Sequence, residues 1–230
     1  MKDSSGLEKT IGYVFSDKNL LRIALTHSSY ASEQKLGYSH NNERLEFIGD
    51  AYIDAIVGTR LFEIMGNAHE GPLSKFRADV VCESALADTA LRIGLGEYLY
   101  LGKGEDASGG RSKPSILSDA FEALMGAIMI DGGFEPCREV VLRLLNDKIE
   151  MAATGRLSRD FKTRLQEKIQ EKDSKSGIVY KIVDEKGPDH NKIFTVRVSV
   201  NGRVIGTGMG SSKARAEQAA AKDALSKGVN

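Results

Sequence analysis

Asn42-Glu43-Arg44-Leu45-Glu46-Phe47-Ile48-Gly49-Asp50 is the stretch on which the fold of this chain turns. Leu45, Ile48, Tyr52 and Ala55 recur at helical spacing. At 100° per residue, Glu43, Glu46 and Asp50 fall within about 60° of one another on a helix wheel. The spacing predicts an amphipathic helix with its acids on the face opposite its apolar residues. About seventy residues later, Ser118-Asp119-Ala120-Phe121-Glu122-Ala123-Leu124 repeats the pattern. Asp119 and Glu122 share a face there, while Leu117, Phe121, Leu124 and Ile128 form the expected buried stripe.

If the two acid faces meet, the carboxylates repel one another and need a counter-charge. Oxygen ligands, with no His or Cys at ligand spacing, favour a hard dication over zinc: Mg²⁺, with Mn²⁺ as a substitute. Such a cluster can activate water and neutralise a phosphate during in-line displacement. Spacing alone leaves open the plainer reading of acids solvated on a polar helix face. Asp54 lies on the same face as Asp50, and periodicity does not separate the two.

Further motifs stand around these segments in order. They are Thr26-His27-Ser28-Ser29-Tyr30, His69-Glu70-Gly71-Pro72-Leu73-Ser74, Gly102-Lys103-Gly104-Glu105 and Ser108-Gly109-Gly110-Arg111. Together with Asn42–Asp50 and Ser118–Ala123 they resemble the ribonuclease III family, most of all its bacterial branch, with Ile48 where Leu is usual. The resemblance covers nearly the whole chain. It implies an all-α endonuclease domain, the ribonuclease III fold, over residues 4–150. This domain would form a two-fold homodimer whose two sites lie in a valley for double-stranded RNA and cut one strand each. The family's catalytic set falls on Glu46, Asp50, Asp119 and Glu122. Of these, Glu46, Asp119 and Glu122 would bind Mg²⁺, and Asp50 would support that shell and orient the attacking water. Glu43 and Glu70 match positions concerned with the dimer or with substrate passage. Hydrolysis would leave 5′-phosphate and 3′-hydroxyl ends with short 3′ overhangs, on ribosomal RNA precursors and structured messenger RNAs.

Formal charge is zero overall, yet residues 1–150 carry 16 Lys+Arg against 23 Asp+Glu, and residues 151–230 carry 16 against 9. A net of −7 followed by +7 suggests an acidic metal-dependent body joined to a basic module that grips a polyanion. Ala, Thr, Gly and Ser interrupt the helical pattern at 151–158, which reads as a linker. Beyond it, Phe161, Leu165 and Ile169 mark a helix. Alternation marks strands at Val179–Val183, Ile193–Val200 and Arg203–Gly206, and Asn201-Gly202 is a two-residue hairpin signal. A last helix runs from about Ser212 to Ser226, capped by Ser211 or Ser212 and packed through Ala216, Ala219, Ala220 and Leu225.

This α-β-β-β-α order over residues 159–228 resembles the small α+β double-stranded-RNA-binding domain. The carrying residues are Lys162-Thr163-Arg164-Leu165-Gln166-Glu167, Gly187-Pro188-Asp189-His190 and Gly210–Ala220. In such domains the first helix and the Gly-Pro-x-His loop meet two minor grooves, and the basic start of the last helix meets phosphates between them. Thr163, Gln166, His190, Ser212, Lys213 and Arg215 are the implied RNA contacts, aided at the last helix by its positive end. Ala214 stands where the family usually has a second base, and Arg215 is the candidate substitute.

No apolar run approaches the ~20 residues of a membrane span and no secretory segment is read at the start, so a cytoplasmic, membrane-free protein is expected. Cys82 and Cys137 are expected to be reduced and buried. His27 reads as a structural residue, and His40 and His69 as bland. Residues 102–110 lack the order of a nucleotide-binding P-loop, so no nucleotide cofactor is expected; Arg111 and Lys113 are candidates for holding substrate backbone. The alternative reading is a non-catalytic double-stranded-RNA-binding protein on a nuclease-like fold. A further rival, an enzyme limited to short stems, fits the basic second domain poorly. All four acids that separate enzyme from binder are present.

Overall fold

The computed structural model describes residues 4–154, 161–172, 176–187 and 192–228. The chain divides into two compact units, Met1–Leu157 and Ser158–Asn230. The first is helical: α1 (Ser5–Ile11), α2 (Lys18–Ala24), α3 (Ser28–Glu33), α4 (Glu43–Met65), α5 (Glu70–Val81), α6 (Glu83–Arg92), α7 (Lys103–Ala107), α8 (Pro114–Gly132) and α9 (Phe134–Ala153). Pro114 at the first position of α8 suits a helix start, where its missing N–H costs nothing. The core forms around α8, which packs against α2, α4, α6 and α9. From Ile116 to Ile128 only Asp119 and Glu122 are not fully buried. A helix apolar on nearly every side belongs in the middle of a bundle.

The second unit is α10 (Phe161–Lys172), β1 (Ile178–Lys186), β2 (Ile193–Val200), β3 (Arg203–Gly210) and α11 (Lys213–Ser226). The strands form one antiparallel sheet in chain order. Asn201 (φ 49°) and Gly202 (φ 81°) both adopt positive φ between paired Val200 and Arg203, the backbone a two-residue type I′ turn demands. The alternation runs further than the sequence patterns suggest, to Lys186 in β1 and Gly210 in β3. Register shifts at Ile182/Asp184 and Val198/Ser199 interrupt the period in which such patterns are read. Likewise α9 continues through Ala153, into the stretch read as linker.

Small residues let α11 lie on the sheet. A Cβ on Gly206 would come within 2.4 Å of the Ala220 carbonyl oxygen, and one on Gly208 within 2.1 Å of the Ala220 nitrogen. The buried face of α11 is Ala216, Ala220, Ala221 and Ala224, while Ala219 and Leu225 are only partly covered. The expected stripe holds at Ala216 and Ala220, extends to Ala221 and Ala224, and keeps Leu225 packed at its partly buried edge.

Candidate active site and nucleic-acid interface

The start of α4 is anchored before its acids begin. Asn41 and Asn42 are buried, the Asn42 N–H donates to the Thr26 carbonyl at 2.9 Å, and Asn41 Oδ1 accepts from the Glu43 N–H at 3.3 Å. Six residues after Glu43, Gly49 meets α8. A Cβ there would lie 1.8 Å from the Glu122 carbonyl oxygen, and one on Gly126 would lie 2.0 Å from the Leu45 carbonyl oxygen. The two helices therefore cross backbone to backbone, closer than any side chain permits. That contact brings Glu46 of α4 against Asp119 and Glu122 of α8, with one carboxylate oxygen of each within 4.8 Å of the others.

The close approach changes the acids' chemistry. Burial, followed by the charges of Asp50, Asp119, Glu46 and Asp54, pushes Glu122 up to about 8. Glu46 is raised by burial and then by Asp119, Glu43 and Asp50. Asp119 is also raised, first by burial and further by Glu83; the Ser118 hydroxyl, 3.3 Å away, and His27 pull in the other direction. Among the described residues no Lys or Arg forms an ion pair with Glu46, Asp119 or Glu122. Three half-buried carboxylates whose charged forms burial and mutual repulsion disfavour suit a hard divalent ion. Asp50 is exposed at the rim, outside the three-oxygen group, and acts on it through charge.

Several expectations need correction. The acids of α4 do not oppose its buried stripe; they flank it. The buried positions are Leu45, Gly49, Ile53, Ile56, Val57 and Leu61, whereas Ile48 and Tyr52 are partly exposed and Ala55 is exposed. A polar-face reading misses this because the acids point along the seam where α8 crosses. Arg111 is committed to the fold: it binds Asp106 through two nitrogens, at 2.8 and 3.0 Å, and donates to the Gly96 and Leu99 carbonyls, both at 2.9 Å. Lys113 pairs with Glu105 at 3.5 Å. Arg111 is thereby occupied by the fold, whereas the Lys113 ammonium stays half exposed beside Glu105. Cys82 is exposed at the break between α5 and α6, and only Cys137 is buried, its thiol pushed up to about 11 by burial.

His27 has the structural place expected of it, as the cap of α3 whose Nδ1 accepts from the Ser29 N–H at 3.2 Å. Glu70 is exposed and accepts from the Ser74 hydroxyl at 2.7 Å, and Glu43 opens α4 half-buried, close enough to raise Glu46. Sequence reasoning missed Gly126 and Glu83. An isolated glycine inside an apolar helix pattern was the available signal for the first; nothing in the sequence points to the second.

In the second unit, the Ser212 hydroxyl caps α11 by accepting from the Arg215 N–H at 3.3 Å, which fixes Ser212 rather than Ser211 as the cap. Lys213 and Arg215 are exposed on the first turn, Lys213 beside the Phe194 ring and Arg215 donating to the Ser211 hydroxyl at 3.0 Å. Gln166 is exposed on α10. Thr163 belongs to α10, but its side chain lies outside the described residues, as does His190 altogether.

A helical unit with an acid cluster at its central crossing, followed by an α-β-β-β-α module with a basic helix start, defines a nuclease joined to an RNA-binding motif. The comparisons agree: residues 17–149 match the Ribonuclease-III-like family and residues 161–227 the double-stranded RNA binding motif. The Ribonuclease 3 of Caldanaerobacter subterraneus subsp. tengcongensis is 48% identical over 221 residues, 96% of either chain. The crystal structure of the ribonuclease III nuclease domain from Campylobacter jejuni has a TM-score of 0.59 at 46% identity, covering 64% of this chain and 96% of that one. A second structure of that domain (TM-score 0.59, 44% identity, 64% and 98% covered) is described as flexible in a region involved in dimer formation. The chain belongs to the ribonuclease III family. Among its described residues no helix is long and apolar enough to cross a membrane.

Proposed function

We propose that this chain is a Mg²⁺-dependent endoribonuclease that hydrolyses phosphodiester bonds in double-stranded RNA. The observation that carries the reading is the convergence of Glu46, Asp119 and Glu122 across the Gly49–Gly126 crossing. A non-catalytic duplex binder would have no use for acids held together at electrostatic cost. Glu46, Asp119 and Glu122 are the residues that would hold Mg²⁺, or Mn²⁺ in its place. Bound there, the ion would offset the phosphate charge and lower the pKa of water. Glu122 must give up its proton before it can ligate, so cation binding and its ionisation are linked. Asp50, exposed at the rim, orients the attacking water, and the products carry 5′-phosphate and 3′-hydroxyl ends.

The second unit supplies grip. Lys213 and Arg215 meet phosphates at the positive end of α11, while Thr163, Gln166 and His190 reach minor-groove 2′-hydroxyls. Two copies acting together explain short 3′ overhangs, and one surface supports pairing. Phe47 is 76% exposed on α4, and Leu45 and Ile48 of the same helix line a cleft of about 260 Å³ with Leu20, Ile23, Ile130 and the polar Ser39, Asn41 and Arg44. A large exposed ring and a largely apolar cleft on the same helix suit a self-complementary two-fold contact. Glu43 and Glu70 act at that contact or in substrate passage. A cytoplasmic place and ribosomal RNA precursors or structured messenger RNAs as targets complete the reading.

The test is cleavage of an end-labelled RNA duplex in Mg²⁺, beside its single strand and a DNA duplex. Cutting of the RNA duplex alone, abolished by EDTA, is the expected result. Tight duplex binding without cutting would overturn the enzyme and leave the binder.

A further inference from the structure

Glu46, Asp50, Asp54 and Gly58 follow one another at four-residue intervals along α4, each about 6 Å further along the axis. Asp54 therefore continues the acid row, and its charge is among those that reach Glu122. Unlike Glu46, it has a basic partner: Arg77 of α5, whose Nε lies 3.8 Å from Asp54 Oδ2. The Arg77 stem runs past Gly58, where a Cβ would stand 3.5 Å from its Cδ. The pair is loose and wet, with side chains 44% and 39% exposed. One contact of that length adds little to the fold. What it does is hold a guanidinium about one helical turn beyond Asp50, on the rim of a cluster otherwise made of acids.

Resting on the nuclease reading above, we infer that Arg77 receives the phosphate next to the one being cut. A strand with one phosphate at the acids places its neighbour one backbone repeat away, within a strongly negative field. That neighbour needs a fixed cation, and a guanidinium offers phosphate a planar fork and a charge that does not titrate. Asp54 keeps the side chain aimed when no RNA is present, and the weak pairing lets the guanidinium turn to the phosphate. Arg77 touches a non-reacting part of the substrate, so its energy is spent on positioning the scissile bond.

The experiment uses the full chain and duplexes carrying a single uncharged methylphosphonate on either side of the scissile phosphate. In single-turnover cleavage, wild type should lose about tenfold with the neutral linkage on one side and little on the other. Arg77→Gln should cut the unmodified duplex about tenfold more slowly and lose less than about twofold more on that modified one. Arg77→Lys, which keeps charge and stem, should give an intermediate penalty and guards against a folding defect in the glutamine variant. A penalty as large in both variants as in wild type overturns the inference. So does a wild type indifferent to the neighbouring charge, while the nuclease reading stands. A wild type that cuts no duplex overturns both.

Discussion

The α4–α8 crossing and the α11–sheet contact are built with the same device and carry opposite electrical consequences. Gly49 and Gly126 let two helices touch at the backbone, and Gly206 and Gly208 let α11 do so on β3. In the first unit the crossing draws Glu46, Asp119 and Glu122 into a half-buried group whose ionisation burial and repulsion oppose. In the second, alanines form the buried part of the contact, Asp223 accepts from the Thr207 N–H at 2.9 Å beside it, and Lys213 and Arg215 stay exposed. Close packing concentrates charge where chemistry needs it and keeps charge in water where grip needs it. A cluster that must bind an ion gains from burial, because low dielectric strengthens every charge in it; a phosphate grip must reach a partner in solvent.

The sharpest way to break the comparison is Glu122→Gln, which keeps shape and removes one ligand charge. Cleavage should fall by about three orders of magnitude, several kcal/mol of metal assistance, with duplex affinity nearly intact. Equal loss of binding and cutting would separate Glu122 from the metal. Gly49→Ala comes next. Its methyl would sit inside the Glu122 carbonyl contact, so the helices must part. We expect a loss of about 2 kcal/mol or more in urea unfolding, together with loss of cleavage. A variant as stable and active as wild type would mean that the crossing does not set the site.

pH sharpens the electrical half. Glu122 has its pKa raised from 4.5 to about 8 in the fold, so the folded state retains a proton that the unfolded chain releases. Without metal, this group's contribution is fully present below about pH 4.5, declines as pH rises and is gone above about pH 8. Thermal midpoints in EDTA should therefore fall across that window, and Glu122→Gln should flatten the fall. Added Mg²⁺ should raise the midpoint more at pH 8.5 than at pH 6, because the deprotonated ligand binds it. An identical Mg²⁺ effect at both values would count against the assignment. The smallest effect lies in the second unit. Lys213→Ala should weaken binding to every duplex alike and lower the salt slope by about one, and Ala214→Lys should raise it by a similar amount if Arg215 does not already fill the gap. A changed sequence preference would contradict a phosphate role.

Much of this was legible in order and spacing. Helical period marked α4 and α8, the Asn201-Gly202 pair marked the hairpin, and the charge split marked an acidic body and a basic module. The orientation of the acids was not legible. Periodicity compares residues of one helix, whereas Glu46 and Asp50 take their environment from α8, which is distant in sequence. For the same reason Arg111, which looked like a free base in a loop, is locked onto Asp106 and two carbonyls, and Cys82, expected inside, sits at an exposed helix break.

The sequence by itself determined the elements, the family and which acids and bases are available, because these depend on local pattern and residue type. Only the tertiary structure decided that three acids share one half-buried space, that Glu122 keeps its proton near neutral pH, and that Arg77 stands beside the acid row. Those properties depend on distances between helices, and the contacts that set them, Gly49–Gly126 for the acids and Asp54–Arg77 for the arginine, are invisible until the helices are in place.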